Sequence, residues 1–149
     1  MKKLILCGLL FASFCAWGQQ AIDRSEILLD PEWKKIYADY VPDSERIAAL
    51  KNMAAEVTID VYLGLWCGDS KEHVPVFLKI VDALDTAGLQ VRWYGVGRKA
   101  DPEQKYYVEE REVERVPTFI ICSGGEEKGR IVETPKLSIL EDMLAIILQ

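Results

Sequence analysis

The strongest constraint on the fold is a β-branched stretch that leads through a glycine-containing turn into a long amphipathic segment. Residues 57–63 alternate and are rich in β-branched side chains, which predicts a strand. Residues 64–68 predict a turn, and the apolar residues that follow recur at helical spacing to about residue 86, before Gly88. Residues 89–96 predict a second strand. Strand, helix and strand in this order predict a parallel pair with the helix as the crossover.

The rest of the chain predicts further elements of a single α/β domain. With 149 residues, half of them hydrophobic, the chain suits one compact domain. Asp30 followed by Pro31 is typical of a helix start. A turn at residues 123–126 separates two strand-like stretches, so we expect those strands to be antiparallel. In chain order, the further predicted elements are helices at 31–40 and 43–55, a helix from 101 that ends within 109–115, strands at 116–122 and 128–133, and a last helix from 134 with Leu137 on its apolar stripe.

The N-terminus has the pattern of a secretory signal peptide. A basic start, Met1-Lys2-Lys3, precedes an apolar run over residues 4–16, and Ala16 and Gly18 are the small residues that signal peptidases require. We therefore expect residues 1–18 to be a signal peptide and the protein to be exported, periplasmic or secreted. The alternative is a retained N-terminal anchor. Residues 19–29 have no strong pattern and are expected to be flexible, which leaves residues 30–149 as the domain.

The charge argues against two classes of partner. The formal net charge is −6, and cleavage would remove two lysines and make it −8. An acidic surface is unfavourable for binding nucleic acid or an anionic membrane. We expect no nucleic-acid partner and no membrane contact beyond the signal segment.

Two cysteines, Cys67 and Cys122, lie outside the signal segment. Cys67 falls between a predicted strand and the N-terminus of a predicted helix, where unpaired N–H groups and the helix dipole favour the thiolate. The alternative is a buried, unreactive cysteine. Cys122 lies in a later strand, and we expect it to be a core cysteine too far from Cys67 for a disulfide.

Three motifs together resemble those of the thioredoxin family. Trp66-Cys67-Gly68 lies at the strand-to-helix turn, Pro75 follows within the helix, and Val116-Pro117-Thr118-Phe119 opens a later strand. The resemblance covers about residues 45–149. It implies a thioredoxin fold, with a central mixed β-sheet flanked by helices and an extra N-terminal helix here.

The resemblance also implies roles for individual residues. Pro117 should follow a cis peptide bond and face the sulfur of Cys67, with Val116 offering backbone polar groups to an extended substrate. Trp66, Gly68 and Asp69 should complete the substrate-binding surface. No cofactor is implied.

The sequence departs from the family pattern at three positions. Ser70 replaces the second cysteine, which in two-cysteine enzymes resolves the mixed disulfide. Its hydroxyl either supports the Cys67 thiolate or is simply a polar residue of the first helical turn. Asp69 replaces a common proline, and its charge opposes the effect of the helix dipole on the thiol. Val61 stands where the family has a buried aspartate, and Asp60, one residue away, should point to the other face of the sheet.

These residues lead to two functional hypotheses. In the first, Cys67, with Ser70, acts on thiols and disulfides by a monothiol mechanism: disulfide reduction, isomerisation or removal of mixed disulfides. Its partners would be exported proteins or small thiols carrying disulfides, and an external thiol reductant. In the second, the chain is a non-catalytic peptide- or protein-binding module that has lost redox turnover. A peroxiredoxin-like activity is disfavoured, because Gly64 stands where that family has a threonine.

Two further side chains could lie near the site. His73 is the only histidine, and we expect it to be half-exposed on its helix. Without a cluster of suitable ligands around it, the sequence predicts no metal site. Arg115, two residues before Pro117, is a candidate cation at the rim near Cys67.

Overall fold

A four-stranded mixed sheet forms the centre of the protein. The computed structural model describes residues 21–53, 56–98 and 108–149. The strands lie in the order β2-β1-β3-β4. Their bounds are β1 Val57–Leu63, β2 Leu89–Gly95, β3 Thr118–Ser123 and β4 Glu126–Val132.

The pairing of the strands matches the predicted topology. β1 and β2 are parallel, with Val61 opposite Trp93, whereas β1 and β3 are antiparallel, with Val61 opposite Phe119. β3 and β4 form an antiparallel hairpin around a turn in which Gly124 and Gly125 have positive φ. Glycine adopts such angles without the steric cost of a side chain. The mixed sheet with flanking helices is the fold predicted from the sequence.

Five helices flank the sheet in the described part of the chain. They are α1 Arg24–Ile27, α2 Pro31–Asp39, α3 Ser44–Met53, α4 Gly68–Leu84 and α5 Ile139–Ile147. The predicted start of α2 is confirmed, because the Asp30 side chain accepts hydrogen bonds from the Glu32 and Trp33 N–H groups. The predicted helix from residue 101 begins outside the described residues, and only residues 108–110 of it are seen to be helical. In the described residues, no helix is both long enough and apolar enough to cross a membrane.

The two faces of the sheet have different chemistry. On the first face, Phe77 of α4 packs its ring against Trp93 and Phe119, with ring centroids 5.7 and 4.9 Å apart. Each fully buried side chain of this size contributes about 2–3 kcal/mol by leaving water. The second face carries a smaller cluster, formed by Tyr62, Tyr94, Ile120 and Cys122 and covered by Val113 and Val116. The charged side chain of Asp60 is also buried on this face.

The N-terminal segment is packed where the sequence predicted flexibility over residues 19–29. In its described part, residues 21–29, Ala21 pairs with Tyr94 at the edge of β2, and the Ile22 N–H donates to the Trp93 carbonyl at 3.1 Å. Ile27 is fully buried in the main core. These contacts hold the described part of the segment against the sheet and the core. The sequence did not indicate them, because a short segment with few apolar residues carries little local signal.

Two helix ends differ from their predicted positions. α4 ends at Leu84, where Asp85 adopts the left-handed conformation with φ of 40°, rather than near residue 86. α5 begins at Ile139 rather than at residue 134, because the Ser138 side chain accepts from the Glu141 N–H and forms the N-cap. Leu137 therefore lies outside the helix, and it is 79% exposed rather than part of an apolar stripe.

Candidate active site

Cys67 is the N-cap residue of α4, directly after the turn that follows β1. Its backbone is extended (φ −93°, ψ 130°), its thiol is free, and its side chain is half-buried. The turn is closed by the Cys67 N–H, which donates to the Gly64 carbonyl at 2.9 Å. Position 64 needs glycine because an added Cβ would lie 2.9 Å from the Trp66 ring. The sequence thus places a partly accessible sulfur at the edge of the sheet.

The sulfur of Cys67 faces the loop that leads into β3. Its thiol donates to the Val116 carbonyl at 3.2 Å, and the Val116–Pro117 peptide bond is cis. The side chain makes no capping hydrogen bond to α4. This corrects the expectation that helix N–H groups point at the sulfur, because the thiol proton is directed to a carbonyl on another element.

Ser70 occupies the interior side of the same helical turn. It is fully buried, and its hydroxyl oxygen accepts a hydrogen bond from the Gly64 N–H at 3.2 Å. Among the hydrogen bonds between described residues, none joins Ser70 to Cys67. Ser70 is thus a buried polar residue of the first helical turn, and it ties the turn before Cys67 to the start of α4.

Trp66 forms an exposed wall beside Cys67. The ring is held because its Nε1–H donates to the Val96 carbonyl at 2.8 Å, and 44% of the residue remains exposed. The guanidinium of Arg98 lies over this ring, 5.3 Å from its centroid. No sequence motif singled out Arg98. The available signal was its place just after β2, because the carboxyl ends of parallel strands such as β1 and β2 meet at one edge of the sheet.

The other predicted substrate-binding residues divide between exposed and buried positions. Gly68 and Asp69 are exposed, and no atom lies within 4 Å of a Cβ added at Gly68, so this side of the site is open. Val116 and Pro117 are buried. The Val116 carbonyl, predicted to be offered to substrate, is occupied here by the thiol of Cys67.

The loop before Pro117 is held against β4. The Thr118 hydroxyl donates to the Arg115 carbonyl at 2.7 Å, and the Glu133 N–H donates to the Pro117 carbonyl at 2.8 Å. Arg115 forms an ion pair with Glu133 at 2.7 Å. The sequence made Arg115 a candidate cation near Cys67. In the structure its charge is paired with Glu133, on the β4 side of the loop.

Asp60 lies on the second face of the sheet and is the buried member of an ionic cluster whose arginines are partly exposed. It is 3% exposed and accepts two hydrogen bonds from Arg92, at 2.5 and 2.9 Å, and one from Arg111 at 3.3 Å. The hydrogen bond to Asp60 raises the pKa of Arg92. Cys122, free and buried, accepts from Arg111 at 3.8 Å. Asp60 therefore lies on the opposite face from the neighbouring Val61, as expected, and Val61 is fully buried on the first face.

His73 is buried, not half-exposed as the sequence suggested, with 9% of its surface accessible. Its neighbours Val74 and Pro75 on α4 are buried as well, so this part of the helix faces protein. Across the three described ranges, no group of three or more His, Cys, Asp or Glu side chains is close enough to hold a metal ion.

Comparison with known proteins places these features in a family. The thioredoxin family model matches residues 19–144. Thioredoxin H2-1 from Oryza sativa subsp. japonica is 37% identical over 89 residues, covering 59% of this chain and 58% of that protein, so the chain spans less than two thirds of that relative.

Solved structures support the fold. A protein of unknown function from Pseudomonas aeruginosa and an HIV epitope scaffold have TM-scores of 0.58 and 0.59, each at 16% identity. Each match covers 78% of this chain and 80% of the other. At this identity the likeness shows the fold alone. Since the family match extends over most of the sequence, this protein belongs to the thioredoxin family.

Proposed function

We propose that the protein catalyses thiol–disulfide exchange by a monothiol mechanism through Cys67. The observation that carries the proposal is the free, partly exposed sulfur of Cys67 at the N-terminus of α4, with Ser70 buried at the position of the second cysteine. Membership of the thioredoxin family supports this class of chemistry.

The exchange takes place in two balanced steps. The Cys67 thiolate attacks one sulfur of a substrate disulfide, a Cys67–substrate disulfide forms, and the other sulfur leaves as a thiolate that takes up a proton. An external thiolate then attacks the substrate sulfur, forms a new disulfide with it, and releases Cys67 as a thiolate. When the external thiolate attacks the Cys67 sulfur instead, the substrate leaves as a reduced thiol and a disulfide forms between Cys67 and the external thiol. A second external thiolate then attacks the external sulfur of that disulfide, forms a disulfide with it, and releases Cys67 as a thiolate.

The second step needs an external thiol because Ser70 cannot replace it. A serine hydroxyl neither forms a disulfide nor ionises near neutral pH. The Ser70 oxygen also accepts from the Gly64 N–H, which holds it toward the turn. We therefore propose that exported proteins or small thiols supply the disulfide, and that a separate thiol reductant restores Cys67.

Intact-mass analysis after reaction with oxidised glutathione tests the proposal. The wild type and Cys122→Ser should each gain one glutathionyl adduct, whereas Cys67→Ser should gain none. Adding a reduced thiol should then remove the adduct from the wild type. Absence of an adduct on the wild type contradicts the proposal. Binding of an unfolded peptide that Cys67→Ala leaves unchanged would then favour the non-catalytic binding module.

We also propose that residues 1–18 are removed during export. The basic start, the apolar run and the small residues before Gln19 support this. The mass and N-terminal sequence of the protein, expressed in a secreting host and recovered outside the cytoplasm, should correspond to a chain that begins at Gln19. A full-length chain retained in the membrane fraction would support the anchor instead.

A further inference from the structure

We propose that Arg98 makes this site selective for disulfides that carry a carboxylate close to the reacting sulfur. Arg98 would then be a specificity-determining residue, and this inference rests on the proposed exchange chemistry of Cys67. The ligand class is an anionic disulfide, whether glutathione-derived or part of an acidic peptide.

The first support is the fixed position of the ring beneath Arg98. The hydrogen bond from Trp66 Nε1 to the Val96 carbonyl holds the indole on the wall next to Cys67. Arg98 lies over the face of this indole at 5.3 Å from the centroid, within the range of a cation–π contact. The stacked guanidinium is planar and partly pre-oriented, so less side-chain entropy is lost when it binds an anion.

The second support is that no described acidic side chain forms an ion pair with Arg98. Arg98 is exposed, and the ion pairs formed within the described ranges do not include it, whereas Arg92, Arg111, Arg115 and Arg130 are all paired. Leu65 and Trp66, the two residues before Cys67, are exposed and are available for contact with a substrate. A carboxylate carried near its disulfide would meet the guanidinium there.

The local charge opposes the overall charge of the protein. The chain has a formal net charge of −6, which repels anionic substrates at long range. The guanidinium over the ring of Trp66, the residue before Cys67, acts over a few ångströms, where screening by salt is weakest. Arg98 therefore lowers the cost of bringing an anionic disulfide to Cys67.

Two chromogenic disulfides of similar reactivity test this inference. Dithiobis(nitrobenzoate) carries a carboxylate on each ring, whereas dithiodipyridine is uncharged at neutral pH. For each variant, the second-order rate constant of Cys67 is measured with both disulfides in the Cys122→Ser background. The rate constant for the anionic disulfide is then divided by that for the neutral one, and this ratio is compared between variants. Arg98→Gln should lower this ratio about three- to fivefold, as expected for one exposed charge pair. Arg98→Glu should lower this ratio further, whereas Arg98→Lys should leave it close to the wild-type value.

Matched controls separate the local effect from other causes. Lys128→Gln removes the same unit of charge at the far end of the sheet and should leave the ratio unchanged. In 1 M salt, where the Debye length is about 3 Å, the difference between wild type and Arg98→Gln should shrink. An Arg98→Gln ratio equal to that of the wild type at low salt overturns the inference, even if Cys67 reacts with both probes. If the wild type reacts with neither probe, the exchange chemistry itself has failed.

Two further substrates distinguish the sources of the carboxylate. Adduct formation is followed with oxidised glutathione, and with peptide disulfides that differ only by aspartate or asparagine beside the cysteine. If Arg98→Gln slows adduct formation with oxidised glutathione only, the substrate is a small thiol. If it slows adduct formation with the aspartate peptide only, the substrate is an acidic protein segment. If neither substrate shows a loss, Arg98 does not select for carboxylates.

Discussion

At the scale of single residues, the site differs from a two-cysteine centre by one atom at position 70. Ser70 is fully buried one helical turn after Cys67, so a cysteine placed there would occupy the interior side of the same turn. The exchange of oxygen for sulfur changes little in volume. It changes the chemistry, because only sulfur can form the second disulfide.

We predict that Ser70→Cys converts the protein into a dithiol reductase. The variant should form a disulfide between Cys67 and the introduced cysteine, seen as a loss of two hydrogens in the intact mass, and should reduce insulin in the presence of dithiothreitol faster than the wild type. Ser70→Ala is the control. It lacks the acceptor for the Gly64 N–H, should lose about 1 kcal/mol of stability, and should gain no reductase activity. A Ser70→Cys protein that folds but forms no such disulfide would contradict the geometry of the turn.

At the scale of elements, the N-terminal segment and β2 form a close contact. An added Cβ at Gly95 would lie 2.5 Å from Ile22 Cδ1 and 2.8 Å from its Cγ1. Glycine at the end of β2 thus lets the N-terminal segment pack on the edge strand, which it partly covers.

We predict that Gly95→Ala lowers the free energy of unfolding by about 1–2 kcal/mol, because Ile22 must move away from the edge of β2. Urea unfolding measures the effect. Gly68→Ala is a matched control with open space around the added methyl group, and it should have an effect close to zero. In the Ile22→Ala background the penalty at position 95 should vanish. An equal penalty in both backgrounds would rule out this contact as its cause.

The β3–β4 hairpin also holds the loop before Pro117 through one arginine. Arg130 donates from Nη1 to the Arg111 and Glu112 carbonyls at 3.1 and 3.2 Å, and Glu127 orients it by accepting at 2.7 and 2.8 Å. The hydrogen bond from Arg130 lowers the pKa of Glu127 below its usual value of 4.5.

We predict an acid-sensitive contribution to stability from Glu127. A carboxyl group whose pKa is depressed by folding adds stability that is fully present above its unfolded pKa and is lost as the pH falls through its folded pKa. The difference in unfolding free energy between wild type and Glu127→Gln should therefore be largest near neutral pH and should shrink as the pH falls below 4.5. Urea unfolding across this range measures it. A difference that does not change with pH would mean that Glu127 contributes by packing alone.

At the scale of the whole molecule, the sheet is held by an apolar core on one face and a partly ionic one on the other. Asp60, 3% exposed, joins β1 to Arg92 of β2 and to Arg111 of the segment that covers this face. Removing one partner of a buried ion pair leaves the other without compensation and costs more than the pair itself contributes.

We predict that Asp60→Asn destabilises the protein by about 3 kcal/mol, because two guanidinium groups lose their shared carboxylate. Part of each arginine stays exposed, so water limits the loss. Asp39→Asn removes an exposed partner of Lys35 within α2 and should change stability by less than about 0.5 kcal/mol. Thermal and urea unfolding compare the two variants. Similar effects at both positions would show that the buried cluster adds no special stability.

The residue patterns within single segments were enough to predict the strands, the helices and their order, and to predict where the candidate site lies. The alternation of residues 57–63, the apolar spacing of α4 and the turn before β4 specify elements through their own residues, and their order is enough to define the mixed sheet. For the same reason, the Trp-Cys-Gly turn and the Val-Pro-Thr motif were enough to predict the candidate site, and the structure brings the two motifs together. Local pattern failed for residues 21–29 and for the start of α5, where one buried side chain or one capping serine decides the structure.

Tertiary structure decided how the site residues are used. The thiol proton of Cys67 goes to Val116, the hydroxyl of Ser70 accepts from Gly64, and Arg98 lies over Trp66. Two of these three contacts join elements that are distant along the chain, and the contact of Ser70 with Gly64 depends on the fold of the turn. A hydrogen bond or a charge pair depends on distances of a few ångströms, which no sequence pattern encodes until folding brings the separate segments to one edge of the sheet.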